Sequence, residues 1–209
     1  VQYVAPFRSD ASIRLCQRIA ELAPGDLNRV YLGLSGSDAN EAALSIGRSY
    51  FSVQGKSNSM VISRWQGYHG LTLGAGAVTA WGKHLHGRDL ASVSQGVSHI
   101  FPPYCYRCYY GLEYPSCGIR CAHVLEDVVK LMGPENVAGF IGEPIMSNTG
   151  GLTPPDEYWP IIREICDRYG ILLIFDEVIT AWGRTGKLFA CEHWNVLPDI
   201  MVMAKGITS

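Results

Sequence analysis

Long apolar runs are missing from these 209 residues. No stretch approaches about 18 consecutive apolar positions, so no membrane-spanning helix is expected. Charge of one sign is missing too: 17 basic and 19 acidic side chains leave a net charge of -2. That balance gives no support for a nucleic-acid reader working through a basic face. Internal repeats and low-complexity tracts are absent, and charged residues are 17% against 47% hydrophobic. A chain so composed can bury a sizeable core and is not expected to be disordered. No initiator Met and no charged-then-apolar leader stand at Val1, and the chain stops soon after an apolar run, at Ile207-Thr208-Ser209. We therefore expect a piece of a longer protein.

Cysteine is present in an odd number, seven. Cys16, Cys166 and Cys191 fall inside regular-looking segments and read as small core hydrophobes. A chain this long and apolar needs no disulfide staples, so a reducing, cytoplasmic compartment is expected; an organellar targeting segment would precede Val1 and stays an open alternative. The 23 glycines imply many tight turns or close backbone approaches.

Ser9-Asp10 can cap a helix carrying Ile13, Ile19 and Leu22 near one face and ended by Pro24-Gly25. Val30 to Leu32 reads as a short strand, followed by Ser35-Gly36-Ser37-Asp38 and a helical run with Ala42, Ala43, Ile46 and Tyr50. Met60 to Ser63 is a strand candidate, residues 66–98 read as loops with short helices, and residues 102–121 as a long loop. Then follow a helix over 121–132, a strand Val137 to Ile141, a helix over 156–169, and strands Ile171 to Phe175 and Ile200 to Met203. This alternation predicts an α/β fold, a mostly parallel sheet covered by helices, without an internal domain boundary.

In such a sheet, ligands sit beyond the carboxyl ends of the strands. Glu143, Asp176 and Lys205 each follow a strand candidate. One such residue alone is readily a solvated strand terminus; two acids and a lysine at three strand ends make a constellation. Lys205, between Met203-Ala204 and Gly206, is expected to be partly desolvated, which lowers an amine's pKa and suits covalent chemistry with a carbonyl; the alternative is a lysine snorkelling to water. Asp176 ends an apolar run and needs a partner, for which a cationic ring nitrogen would serve; the alternative is a turn cap. Ser35-Gly36-Ser37-Asp38, between strand and helix, offers a hydroxyl and helix-start amides to a phosphate dianion, or is a plain helix cap. It is neither a Walker loop nor a dinucleotide fingerprint.

These residues carry a resemblance. Ser35-Gly36-Ser37-Asp38-Ala39-Asn40-Glu41, Tyr68-His69-Gly70, Glu143-Pro144, Asp176-Glu177-Val178, Gly183-Arg184-Thr185-Gly186 and Pro198-Asp199-Ile200 through Ala204-Lys205-Gly206 occur in one order. Together they resemble the class III (omega) aminotransferases, pyridoxal 5'-phosphate enzymes of fold type I, from about Arg29 to Gly206. The resemblance implies a three-layer α/β/α large domain over residues 1–209, truncated at both ends, with the small domain largely missing. It implies that Lys205 holds the cofactor covalently and moves the proton, and that Asp176 pairs with the ring nitrogen. Gly36 and Ser37 match the phosphate cup, Tyr68 and Val178 the two residues flanking the ring, and Glu143 an acid that orients its neighbours. His69 follows the stacking residue, with a role less defined; an interfacial aromatic followed by a surface histidine is the alternative for that pair.

The implied reaction moves an amino group from an omega-amino acid or amine to a keto acid such as pyruvate or 2-oxoglutarate. Within the same superfamily an aminomutase, lyase, decarboxylase or racemase is the alternative. The family is dimeric, so a homodimer is expected, with a hydroxyl from the neighbouring subunit completing the phosphate site; neither nucleic acid nor membrane is an expected partner. Members are roughly twice this length, and the piece alone is expected to be inactive. Cys105-x2-Cys108 and Cys117-x3-Cys121 have zinc-like spacing. The competing reading, reduced thiols packed beside Tyr104, Tyr106, Tyr109 and Tyr110, is preferred; no metal ligand is assigned, and a zinc-stabilised interaction module with a vestigial cofactor site is the remaining alternative.

Overall fold

A computed structural model of the chain describes residues 9–82 and 96–207. Five parallel strands form one sheet in the order β2-β1-β3-β4-β5. They are β1 (Met60–Arg64), β2 (Val97–Ile100), β3 (Val137–Gly142), β4 (Leu172–Asp176) and β5 (Ile200–Val202). The helices are α1 (Asp10–Leu22), α2 (Gly36–Ser52), the short α3 (Leu73–Val78), α4 (Arg120–Met132) and α5 (Tyr158–Tyr169).

Alternation along each strand divides the core into two layers. Val61, Ile141, Ile174 and Val202 pack with Ala43 and Leu44 of α2 and Val78 of α3. Their sequence neighbours Ile62, Phe140, Leu173 and Phe175 face the other way, against Leu125 and Val129 of α4 and Trp159 and Ile162 of α5. The helix-sheet-helix sandwich expected from the alternating pattern is therefore formed. The order of strands reverses at β1, with β2 on one side and β3 on the other, which opens a crevice at the carboxyl edge there.

Local chemistry sets most element ends. Ser9 opens α1 through a reciprocal pair with Ser12, Ser12 N donating to Ser9 Oγ and Ser9 N to Ser12 Oγ, each 3.2 Å. Of the expected α1 face only Ile19 is buried, and Ile13 is exposed. Gly170 ends α5 in the left-handed region at φ 62°, where a residue without Cβ is at ease.

Two expectations fail. Val30 to Leu32 has no ladder partner among the described residues, and Tyr31 is exposed: β-propensity without an edge to pair does not make a strand. Conversely, β2 begins at the end of the region read as loops with short helices, residues 66–98, and runs two residues past it. Val97-Ser98-His99-Ile100 is short and half polar, and pairing with β1 from Val61↔Val97 to Arg64↔Ile100 makes it a strand. Of that region, residues 83–95 lie outside the described residues.

Candidate active site

Parallel pairing gathers the chemistry at one edge. Register aligns Gly142 with Phe175 and Asp176 with Val202, so the residues just past β3, β4 and β5 are spatial neighbours. Glu143, Asp176 and Lys205 line one cleft of about 1720 Å³ together with Gly36, Ser37, Tyr68, His69 and Val178.

Asp176 is buried at the end of β4, 4% exposed, and its carboxylate is held from three sides. Oδ2 accepts from Asn40 Nδ2 at 2.8 Å and faces His69 Nδ1 at 2.7 Å, and Oδ1 accepts from the Val178 amide at 3.1 Å. A proton on Nδ1 satisfies this contact, because a carboxylate oxygen without a proton only accepts. Asn40 Nδ2 also donates to His69 O at 2.8 Å and so ties acid and histidine together. His69 is buried beside the acid rather than on the surface, and its Nε2 has no hydrogen-bond partner among the described residues.

Glu143 is buried just past β3. Its Oε1 accepts the Tyr68 amide at 2.8 Å, which fixes the backbone of the aromatic. Burial pushes the Glu143 carboxyl above its ordinary range, and nearby Asp176 adds to this, while His69, the Tyr68 amide and Arg64 oppose it. Beneath it lies Arg64, the last residue of β1, whose Nη2 donates to the Glu143 carbonyl.

The segment around Gly36 is a helix start, as both readings of it required. Ser35 is the N-cap of α2 and its Oγ accepts from Asp38 N at 3.2 Å, while Asp38 Oδ2 accepts from Leu34 N at 2.7 Å. The amides of Gly36 and Ser37 stand in the first turn, where no intrahelical acceptor exists. Gly36 is closely approached: a Cβ there would lie 3.0 Å from both Val178 methyls and 3.6 Å from Ala204 Cβ. Gly70 is tighter still, at φ 126°, and a Cβ there would lie 2.3 Å from Ser37 Oγ. Glu41 reaches the α3 start, accepting from Gly74 N at 2.6 Å and Ala75 N at 3.2 Å.

Lys205 departs from expectation in one respect. Its side chain is exposed at the mouth of the cleft, in a short turn, with left-handed backbone at φ 46°, so this chain does not supply the anticipated desolvation. Its apolar flanks Met203 and Ala204 are partly buried while it is exposed. Gly206 packs on Trp182, whose Cβ would lie 3.3 Å from a Cβ at 206.

Sequence reasoning passed over three functional supports. Asn40 and Glu177 lay inside quoted motifs, and Arg64 is a charge ending an apolar strand, the signal that singled out Asp176. Glu177 is fully buried and accepts from Thr180 Oγ1, Ala190 N and Cys191 N, each at 2.8 Å. It pins the Gly-rich segment 177–191 against the sheet.

Cys105, Cys108, Cys117 and Cys121 line a separate small cavity of about 20 Å³ beside Tyr104 and Tyr110. All four are free thiols, and burial, with the other three nearby, pushes Cys121 up to about 12. Among the described residues no group of three or more His, Cys, Asp or Glu is arranged to hold a metal.

With the geometry established, similarity to known proteins is informative. The family described as aminotransferase class-III matches residues 3–209. The putrescine--pyruvate aminotransferase of Pseudomonas aeruginosa is 41% identical over 198 residues, covering 94% of this chain and 43% of the relative. The leucine/methionine racemase of Thermococcus litoralis is 38% identical over 194 residues, covering 91% of this chain and 42% of the relative. Among solved structures, the (S)-enantioselective omega-transaminase from Thermomicrobium roseum matches with TM-score 0.89 at 38% identity, covering 99% of this chain and 46% of that one. The Pseudomonas jessenii omega transaminase in complex with PMP matches with TM-score 0.91 at 35% identity, covering 98% and 45%. The chain thus spans less than half the length of the curated relatives it matches.

Proposed function

Because this chain belongs to the class-III aminotransferase family, we propose that it is the large, cofactor-binding domain of an enzyme that moves an amino group from an omega-amino acid or amine to a keto acid such as pyruvate or 2-oxoglutarate. The observation that carries this is the cleft itself: a buried, triply held carboxylate, a lysine and a helix N-terminus open onto one space. That donor set fits pyridoxal 5'-phosphate. Gly36 packs against Val178, which would flank the ring, and so brings the first turn of α2 close to it; the α2 amides suit a dianion. The acid at 176 suits a protonated ring nitrogen.

When bound, the cofactor supplies an electron sink for the pair left behind when the carbon next to the amine loses its proton. The chain's own residues do the rest. Gly36 and Ser37 would hold the phosphate, and Tyr68 and Val178 would flank the ring. Asp176 would keep the ring nitrogen protonated, and it can do so because Asn40 and His69 hold its carboxylate in place. Lys205 would anchor the cofactor and, once released, move the proton between carbons. Glu143 sets the Tyr68 backbone. A homodimer and a cytoplasmic location belong to the same proposal; family membership supports the first and the free cysteines the second.

The test is to supply the full-length protein with pyridoxal 5'-phosphate, a panel of diamines, taurine and omega-amino acids, and pyruvate or 2-oxoglutarate. Formation of alanine or glutamate is the expected result. The racemase relative favours one second reading: inversion of an amino acid without consumption of keto acid would establish it and refute transfer.

A further inference from the structure

Arg64 is a buried cation that no sequence motif explained. It is 1% exposed, and among the described residues it forms no ion pair and its Nε and Nη1 have no hydrogen-bond partner. An isolated buried guanidinium is costly, so its surroundings must compensate it. They are specific. Its Cζ lies 5.1 Å from the Trp159 ring centre and 6.0 Å from that of Tyr158, both on α5, and cation–π attraction is stronger where water is excluded. Residue 142 is glycine at the same point: a Cβ there would stand 3.1 Å from Trp159 Cη2 and 3.3 Å from Arg64 Cζ. The slot is shaped for the guanidinium plane, and Nη2 reaches from it to the Glu143 carbonyl.

The charges around Glu143 make this placement intelligible. The Tyr68 amide, from the β1–α3 loop, donates to its carboxylate, Arg64 of β1 holds its carbonyl, and the charges of His69, Asp176 and Arg64 all act on it. Lys205 lines the same cleft. Two buried acids side by side repel unless a fixed positive charge is near. His69 already faces Asp176.

We propose that Arg64 is a positioning residue of the active site: its hydrogen bond to the Glu143 carbonyl anchors that main chain, its buried charge acts as a longer-range counter-charge to the carboxylate without pairing with it, and through Glu143 it sets the Tyr68 backbone. This rests on reading the cleft as a transaminase site, but its first test does not use activity. Urea-unfolding midpoints of the cofactor-free, full-length protein are compared for wild type, R64M, E143Q and R64M/E143Q. If the charge of Arg64 offsets that of Glu143, R64M leaves the buried acid without it, and adding E143Q restores part of the loss. A double variant no more stable than R64M, including one that does not fold, overturns the proposal.

The second readout is the pH profile of kcat/KM with the loaded enzyme. In R64M the acid limb is expected to move up by about one unit with about a tenfold loss, and R64K to restore the limb. An unmoved limb in R64M, or R64K as damaging as R64M, assigns Arg64 to packing alone and overturns the counter-charge. Wild-type protein without transamination would sink the functional reading and leave the stability comparison to decide this one.

Discussion

His69 Nδ1 and Asp176 Oδ2 lie 2.7 Å apart, both side chains buried, although 107 positions separate them in the chain. The contact joins the loop after β1 to the end of β4 across the neighbouring β3, and Asn40 of α2 closes it from a third element. A hydrogen-bonded buried carboxylate keeps one orientation, and an acid that must pair with a cofactor nitrogen needs that.

Replacing Asp176 by Asn keeps the shape but turns an acceptor into a group that donates towards Asn40 and His69. Transamination in the full-length enzyme is expected to fall about 10²-fold or more, and stability by about 1–3 kcal/mol for the mispaired donors. Turnover and denaturant midpoints check the two effects. Turnover near the wild-type rate would remove Asp176 from the reaction.

Lys205→Ala is expected to abolish turnover and the covalent hold on the cofactor while the fold persists, because the residue is exposed. Borohydride treatment followed by peptide mass spectrometry should find the cofactor's mass on the Lys205 peptide of the wild type. A different labelled lysine would disprove the assignment.

Gly36 and Gly70 should respond differently to alanine. At Gly36 the new methyl meets Val178 at 3.0 Å, and a side chain can yield by a few tenths of an ångström. Weaker cofactor binding, about tenfold, with little change in stability is therefore expected. At Gly70, φ 126° and the 2.3 Å approach to Ser37 Oγ leave no such escape, so a loss of about 2 kcal/mol or more is expected. Cofactor titration and thermal unfolding separate the two outcomes, and equal stability losses would contradict this geometry.

His99 predicts an acid limb of stability. Burial chiefly lowers its pKa from 6.5 to about 4, with His69 adding and the Val78 backbone opposing. Below about pH 6.5 the unfolded chain takes up a proton that the folded chain refuses until about pH 4. Stability contributed by neutral His99 is therefore present above the unfolded value and lost as pH falls, by at most on the order of 3 kcal/mol. Urea midpoints from pH 7 to pH 4 should show a shallower fall in H99Q than in wild type; parallel curves would reject it.

Alternating apolar runs and helix periods already specified most of the sheet, because burial on both faces leaves a continuous apolar signature that needs no partner to be recognised. The ordered motifs likewise named Lys205, Asp176, Gly36, Ser37, Tyr68, His69, Glu143 and Val178, all of which border the cleft from element ends or the loops between them. Relations between elements were decided only by folding. Strand β2 exists through its pairing with β1, while Val30 to Leu32, with a comparable local preference, found no edge. His69 became the buried companion of Asp176 and Arg64 the cation under Glu143, because hydrogen bonds and desolvation depend on which chain segments close over a group. The exposure of Lys205 follows from the same cause: its apolar flanks predict burial, but burial is a property of the neighbours that surround a side chain in space.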